Sequence, residues 1–195
     1  MRPKLLFTIL GVLIVAAAGA EYYSTTYMSR PVDPFRVEVG GAFTMVNQDN
    51  QVVTDKDFAG KSLVIFFGFT SCPDICPTTL NRLAGLLEKL GPDADDIKIA
   101  LVTVDPERDT PGVLKEYLKA FDSRIVGLTG SPAQLEMFAK QYKAYYRKVP
   151  GEGGDYTMDH TSSVLLFDQF GGFADTLNKG DDLVALNQLR KLIKE

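Results

Sequence analysis

An unbroken apolar run, residues 63–69, leads straight into Thr70-Ser71-Cys72-Pro73-Asp74-Ile75-Cys76-Pro77, and leucines at helical spacing follow. A short run rich in Val, Ile and Phe reads as a strand buried on both faces. Leu80, Leu83, Leu86, Leu87 and Leu90 then mark one stripe of a helix over 78–90. The chain must therefore turn from a buried strand directly into an amphipathic helix. Its 2 cysteines lie in and just after that turn.

The rest of the chain repeats the alternation. Strands are predicted at 97–104 and 125–128, each followed by a helix, at 111–121 and 132–142. Ahead of them, residues 37–46, interrupted by Gly40 and Gly41, and residues 51–53 predict a hairpin across the polar turn 47–50. A further strand is expected at 145–149, then the loop Gly151-Glu152-Gly153-Gly154. Strands at 163–168 and 173–177 flank Gly171-Gly172, and a helix over 181–193 closes the chain. Alternating strands and helices predict an α/β fold, with a central buried sheet covered by helices and ligand sites at strand ends. There is no internal repeat, and 195 residues with 45% hydrophobic and 24% charged content suit one core. A net charge of -4 leaves no broad basic surface for nucleic acid. Arg108, Arg147 and Lys148 read as a solvated face or as local contact points, and no motif marks a small-molecule substrate.

Arg2 and Lys4 precede an apolar run, 5–20, in which Thr8 is the polar side chain. The run is shorter than the roughly 20 residues a spanning helix prefers, and Ala18-Gly19-Ala20 offers small residues for a signal peptidase. Tyr22, Tyr23 and Tyr27 supply interfacial aromatics, and the positive charges on the other side favour an uncleaved anchor. Residues 1–21 are thus expected to be a membrane anchor or signal peptide. Residues 22–34, with Pro31 and Pro34, read as a tether, and 35–195 as the folded domain. Such a chain would sit as a single-pass protein in the inner (cytoplasmic) membrane, its soluble domain facing the periplasm or an equivalent space.

Thiolate and imidazole are soft and borderline donors for copper or zinc, and paired thiols also exchange electrons. Spacing of four on a helical turn puts Cys72 and Cys76 on one face, near enough to grip one ion. Helix N-terminal amides lower a facing thiol's pKa, and Asp74 opposes that. The ordinary alternative in an exported chain is a structural disulfide. So small a ring yields only about 2 kcal/mol of loop-closure stabilisation, which makes it a poor staple.

His160, the 1 histidine, occupies a second strand edge. Alone, such a residue is more often a surface group than a ligand. Joined to both cysteines it makes a three-donor site suited to Cu(I), or to Cu(II) with a further donor, whereas zinc wants four. Met158 is a conceivable thioether donor, and Asp159 a conceivable acceptor orienting the imidazole. In Asp105-Pro106-Glu107-Arg108-Asp109-Thr110-Pro111, Asp109 or Thr110 suits the cap of the next helix, the ordinary use of such residues, and Asp105 is a conceivable copper donor or partner contact.

Phe67-Gly68-Phe69-Thr70-Ser71-Cys72-Pro73-Asp74-Ile75-Cys76-Pro77, Val104 to Pro111, and Asp159-His160-Thr161-Ser162-Ser163 together resemble the Sco (SenC/PrrC) copper-binding assembly proteins of cytochrome c oxidase. The similarity runs from about Val37 to the C-terminus. The resemblance implies a thioredoxin-like fold in which Cys72, Cys76 and His160 bind one copper ion as Cu(I) or Cu(II). It also implies a client, the dinuclear copper site of oxidase subunit II, matured by copper delivery or by reduction of the client's cysteines. The Cys-x-x-x-Cys spacing, and Asp159-His160-Thr161 where thioredoxins usually carry a proline, depart from ordinary thioredoxins. A peroxiredoxin-like peroxidase fits the general fold but leaves the second cysteine and His160 without a joint task.

Overall fold

The computed structural model describes residues 16–18, 21 and 38–194. The chain divides into two units, Met1–Val37 and Glu38–Glu195. In the first, residues 16–18 and 21 are helical and exposed. The expected anchor or signal peptide and the tether lie almost entirely outside the described residues. Among those described, no helix is long and apolar enough to cross a membrane.

In the second unit, β1 (Thr44–Asn47), β2 (Val52–Thr54), β3 (Ser62–Gly68), α1 (Ile75–Leu90), β4 (Ile97–Thr103), α2 (Pro111–Leu118), β5 (Ile125–Thr129) and α3 (Pro132–Gln141) follow in order. Then come β6 (Tyr146–Pro150), β7 (Tyr156–His160), β8 (Val164–Phe167), β9 (Phe173–Thr176) and α4 (Asp182–Lys194). Among the described residues, seven strands form one mixed sheet, ordered β2-β1-β5-β4-β3-β8-β9, while β6 and β7 pair only with each other. The strands β3, β4 and β5 run parallel, and β1, β8 and β9 join antiparallel.

β3 lies at the interior of this sheet and is buried along its whole length. The pleat sends Phe66 and Gly68 to one face and Phe67 to the other. A Cβ on Gly68 would meet Cys76 of α1, whereas the Phe67 ring lies 5.9 Å from Phe138 of α3. Helices α1 and α3 therefore cover opposite faces of the sheet. Leu80, Leu83, Leu86, Leu87 and Leu90 are all buried. At about 1.5–3 kcal/mol for each fully buried leucine side chain, this stripe holds α1 against the common core.

The predicted hairpin is present but begins at Thr44, because Gly40 and Gly41 take φ of 105° and 144°, which an extended L-residue does not adopt. Asn47 shapes its turn, its Oδ1 accepting from the backbone N–H groups of Asp49 at 3.0 Å and Gln51 at 2.9 Å. Helix α1 starts three residues before the predicted position 78, at Ile75. β7 is not predicted by the sequence reading; its neighbours β6 and β8 are, each within a residue of its bounds.

Candidate metal centre

The register of β8 on β3 brings His160 to the cysteines. Phe66 pairs with Val164 and Leu63 with Phe167, so the chain enters β8 at the end where β3 leaves the sheet. Four residues before Val164, His160 ends β7, level with the loop that follows Gly68. Its ring meets Phe69 edge-on, with centroids 5.5 Å apart and planes at 89°.

Both cysteines are free thiols, Cys76 buried and Cys72 half-buried. Asp74, at the N-cap position of α1, makes no side-chain cap bond. Instead the Cys76 N–H donates to the Cys72 sulfur over 3.4 Å, so that sulfur takes up an orphan amide of the first turn. The missing side chain at Gly68 makes room for the second sulfur, since a Cβ there would stand 3.1 Å from Cys76 Sγ. Burial, and after it the neighbouring Cys72, pushes the Cys76 thiol well above its ordinary value. The lowering expected from the helix terminus is outweighed, because desolvation disfavours the anion more than one turn of amides favours it.

Nδ1 of His160 lies 3.3 Å from the carbonyl oxygen of Met158. A carbonyl only accepts, so Nδ1 carries a proton, and in the neutral ring Nε2 presents its lone pair. That lone pair faces the Cys76 sulfur, 3.9 Å away. The imidazole nitrogen thus lies beside the Cys76 sulfur, and the Cys72 sulfur beside the Cys76 amide, at the end of β3; thiol and imidazole belong to the softer side of the biological donor range. Among the described residues, no group of three or more His, Cys, Asp or Glu side chains is placed so that it could hold a metal ion.

The acidic residues expected near the site have other work. Asp105 is buried, pairs with Arg108 Nε, and accepts from the Tyr156 hydroxyl at 2.9 Å. Its two carboxylate oxygens are thus engaged by Arg108 and Tyr156. Thr110 caps α2, its hydroxyl accepting from Val113 N–H at 3.4 Å. Asp109 is fully buried and accepts from Thr70 N–H at 3.0 Å, Thr70 Oγ1 at 2.5 Å and Thr103 Oγ1 at 2.6 Å. Burial nonetheless raises its carboxyl above the usual range, against the pull of Thr103 and Thr70. Met158 is buried in the core and serves the imidazole through its backbone oxygen. Asp159 reaches Arg147 at 3.4 Å and not the ring, because alternation puts it on the ribbon's outer face. Lys148 pairs with Glu107 at 2.6 Å. Sequence reasoning misses Thr70, Thr103 and Tyr156, ordinary polar residues whose spacing carries no sign of shared partners.

The fold and these side chains define a class: a thioredoxin-like α/β protein with two thiols and an imidazole at the end of a central strand. The SCO1/SenC family model matches residues 32–194, and the chain belongs to that family. It is 33% identical over 189 residues to the Arabidopsis thaliana protein SCO1 homolog 1, mitochondrial, covering 89% of this chain and 57% of the relative. It thus spans little more than half of that relative's length. Among solved structures, Bradyrhizobium japonicum ScoI with copper bound is 42% identical, with a TM-score of 0.75 over 79% of this chain and 99% of that one. BsSco, described with a disulfide switch and as a member of the Sco family of cytochrome c oxidase assembly proteins, is 29% identical. Its TM-score is 0.65 over 83% of this chain and 96% of BsSco.

Proposed function

We propose that this chain is a copper metallochaperone that binds one copper ion through Cys72, Cys76 and His160 and assists assembly of cytochrome c oxidase. Its client is the dinuclear copper site of subunit II. One observation carries the reading: the Nε2 lone pair of His160 stands 3.9 Å from Cys76 Sγ, with its tautomer set by Met158. That is how a protein usually fixes a metal-binding imidazole, through the other ring nitrogen. Copper-bound ScoI at 42% identity and the oxidase-assembly role printed for BsSco support the cargo and the client. Binding removes the thiol protons and draws the Cys72 sulfur and the imidazole onto a common centre. Residues 1–21 anchor the chain in the inner membrane, 22–34 tether it, and 35–195 carry the site in the periplasm or its equivalent.

Copper titration of the reduced full chain tests this. The parent should take up one equivalent, and His160→Ala and Cys72→Ser should lose affinity. Parent-like binding by either variant would falsify the ligand set.

A second reading, reduction of the client's cysteines, is favoured by the contact between the Cys76 N–H and Cys72 Sγ and by the disulfide switch of BsSco. The half-buried Cys72 attacks the client disulfide as thiolate, forming a mixed disulfide and releasing one client thiolate. Cys76 then displaces the second, leaving a Cys72–Cys76 disulfide here and two reduced thiols in the client. A Cys76→Ser variant should trap the mixed disulfide, and no trapping under any metal load counts against this reading. Peroxide reduction has less support, because it leaves the second cysteine, and His160 at 3.9 Å from Cys76, without a joint task.

A further inference from the structure

The ribbon that carries His160 is a sheet of its own: among the described residues, β6 and β7 pair as strands with each other and with no third strand. Along β7, Tyr156, Met158 and His160 face the body while Thr157 and Asp159 face solvent. Whatever holds Tyr156 therefore sets the pitch of the face that bears the imidazole, four residues or roughly 13 Å further along the strand.

Arg108 holds Tyr156 by three means. Its Nη1 donates to the Tyr156 carbonyl at 3.0 Å and to Asp155 Oδ1 at 3.3 Å. Its guanidinium carbon lies 3.8 Å from the centroid of the Tyr156 ring. Its Nε pairs with Asp105, whose other oxygen accepts from the Tyr156 hydroxyl at 2.9 Å. The anchor is shared with the thiol loop. Asp109 N–H donates to Asp105 O at 2.8 Å, and the Asp109 carboxylate holds Thr70, two residues before Cys72. One short loop, 105–109, thus grips the cysteine segment at one end and the histidine strand at the other.

Resting on the copper reading above, we propose that Arg108 is the positioning residue for His160 and thereby sets how strongly the site holds Cu(II) relative to Cu(I). Two thiolates satisfy the soft Cu(I) ion, whereas Cu(II) needs the imidazole and a fuller coordination set. Releasing the ribbon weakens the imidazole's contribution and leaves the thiol pair in place, because Asp109 still holds Thr70. Lysine at this position keeps the charge but loses the planar fork that bridges carbonyl, carboxylates and ring.

The test uses the full chain with Arg108→Gln, Arg108→Lys and Tyr156→Phe. Cu(II) is read by thiolate-to-copper absorption and electron paramagnetic resonance, and Cu(I) by competition with a chromophoric chelator. Arg108→Gln should lower Cu(II) affinity about 10- to 100-fold and alter the resonance spectrum, with Cu(I) affinity changed by less than about threefold. Arg108→Lys should not rescue it. Tyr156→Phe, which removes one hydroxyl and keeps the ring, should give a smaller loss of the same sign in a chain that melts like the parent. Parent-like Cu(II) binding and spectrum in all three variants overturn the inference and leave the copper reading intact. Equal loss of both oxidation states, in step with a lowered apo melting temperature, assigns Arg108 a purely structural role. A parent chain that takes up neither ion overturns the functional reading and this inference together.

Discussion

The carboxylate of Asp109 holds Thr70 twice, through the backbone N–H at 3.0 Å and the hydroxyl at 2.5 Å, although 39 residues separate them in sequence. This bond pair fastens the cysteine loop to the loop after β4. Thr129 Oγ1 adds a third strand end by donating to the Asp109 carbonyl at 3.0 Å.

Asp109→Ala leaves Thr70 and Thr103 without a buried acceptor and should cost about 3 kcal/mol, since hydrogen bonds to charged groups are worth about 1.5–3 each and are not additive. Urea unfolding of the apo chain measures it. A loss of a few tenths of a kcal/mol would show that the loop holds itself.

The pH dependence at this residue has a definite sign. Burial raises the Asp109 carboxyl above its ordinary 3.8, so the folded state binds the proton more tightly than the unfolded chain. The associated stability is fully present below 3.8 and is lost as pH rises through the folded value. Relative to Asp109→Asn, the parent should lose stability on going from about pH 3 to about pH 6, read by unfolding at each pH. A difference independent of pH would contradict the raised value.

Gly68→Ala places a methyl 3.0 Å from Leu101 Cδ1 and 3.1 Å from both Cys76 Sγ and Phe66 Cε1. Overpacking of this kind costs about 1–3 kcal/mol. Because the sulfur must yield, Cys76 should also react faster with a thiol reagent than in the parent. Parent-like stability and reactivity together would mean that the room beside the strand is not needed.

The raised Cys76 thiol works in the opposite pH range. In the apo chain, folding favours its protonated form, so the stability it contributes is present below the ordinary 9.0 and is lost as pH climbs beyond it. Thermal melts at rising alkaline pH should show the parent falling faster than Cys76→Ala. Metal uptake has the reverse trend: the proton must leave, so affinity should strengthen with pH, up to about tenfold per unit for each proton displaced. Isothermal titration in buffers of different ionisation enthalpy counts the protons.

Much of the fold follows from residue patterning. The leucine stripe of α1 and the apolar runs of β3 and β4 dictate their own placement, and the helices predicted from 111 and 132 start at those positions, capped in the structure by Thr110 and Ser131. Cys72, Cys76 and His160 stand out as rare side chains at strand edges, and the structure brings His160 beside Cys76. What the sequence hides is the ribbon. Tyr156 and Met158 alternate with Thr157 and Asp159 as a strand requires, but the glycines before them and the lack of a continuous apolar run read as loop. The supporting acids are hidden for another reason. Asp105 and Asp109 look like turn and cap residues locally, and only partners 39 and 51 residues away give them their roles.

Because β6 and β7 satisfy each other's backbone groups and borrow none from the seven-stranded sheet, opening them need not disturb the core. Their amides should exchange with deuterated solvent well before those of β3 and β4, through a local event far below the free energy of global unfolding. The imidazole can then swing away from Cys76 while the rest of the molecule stays folded.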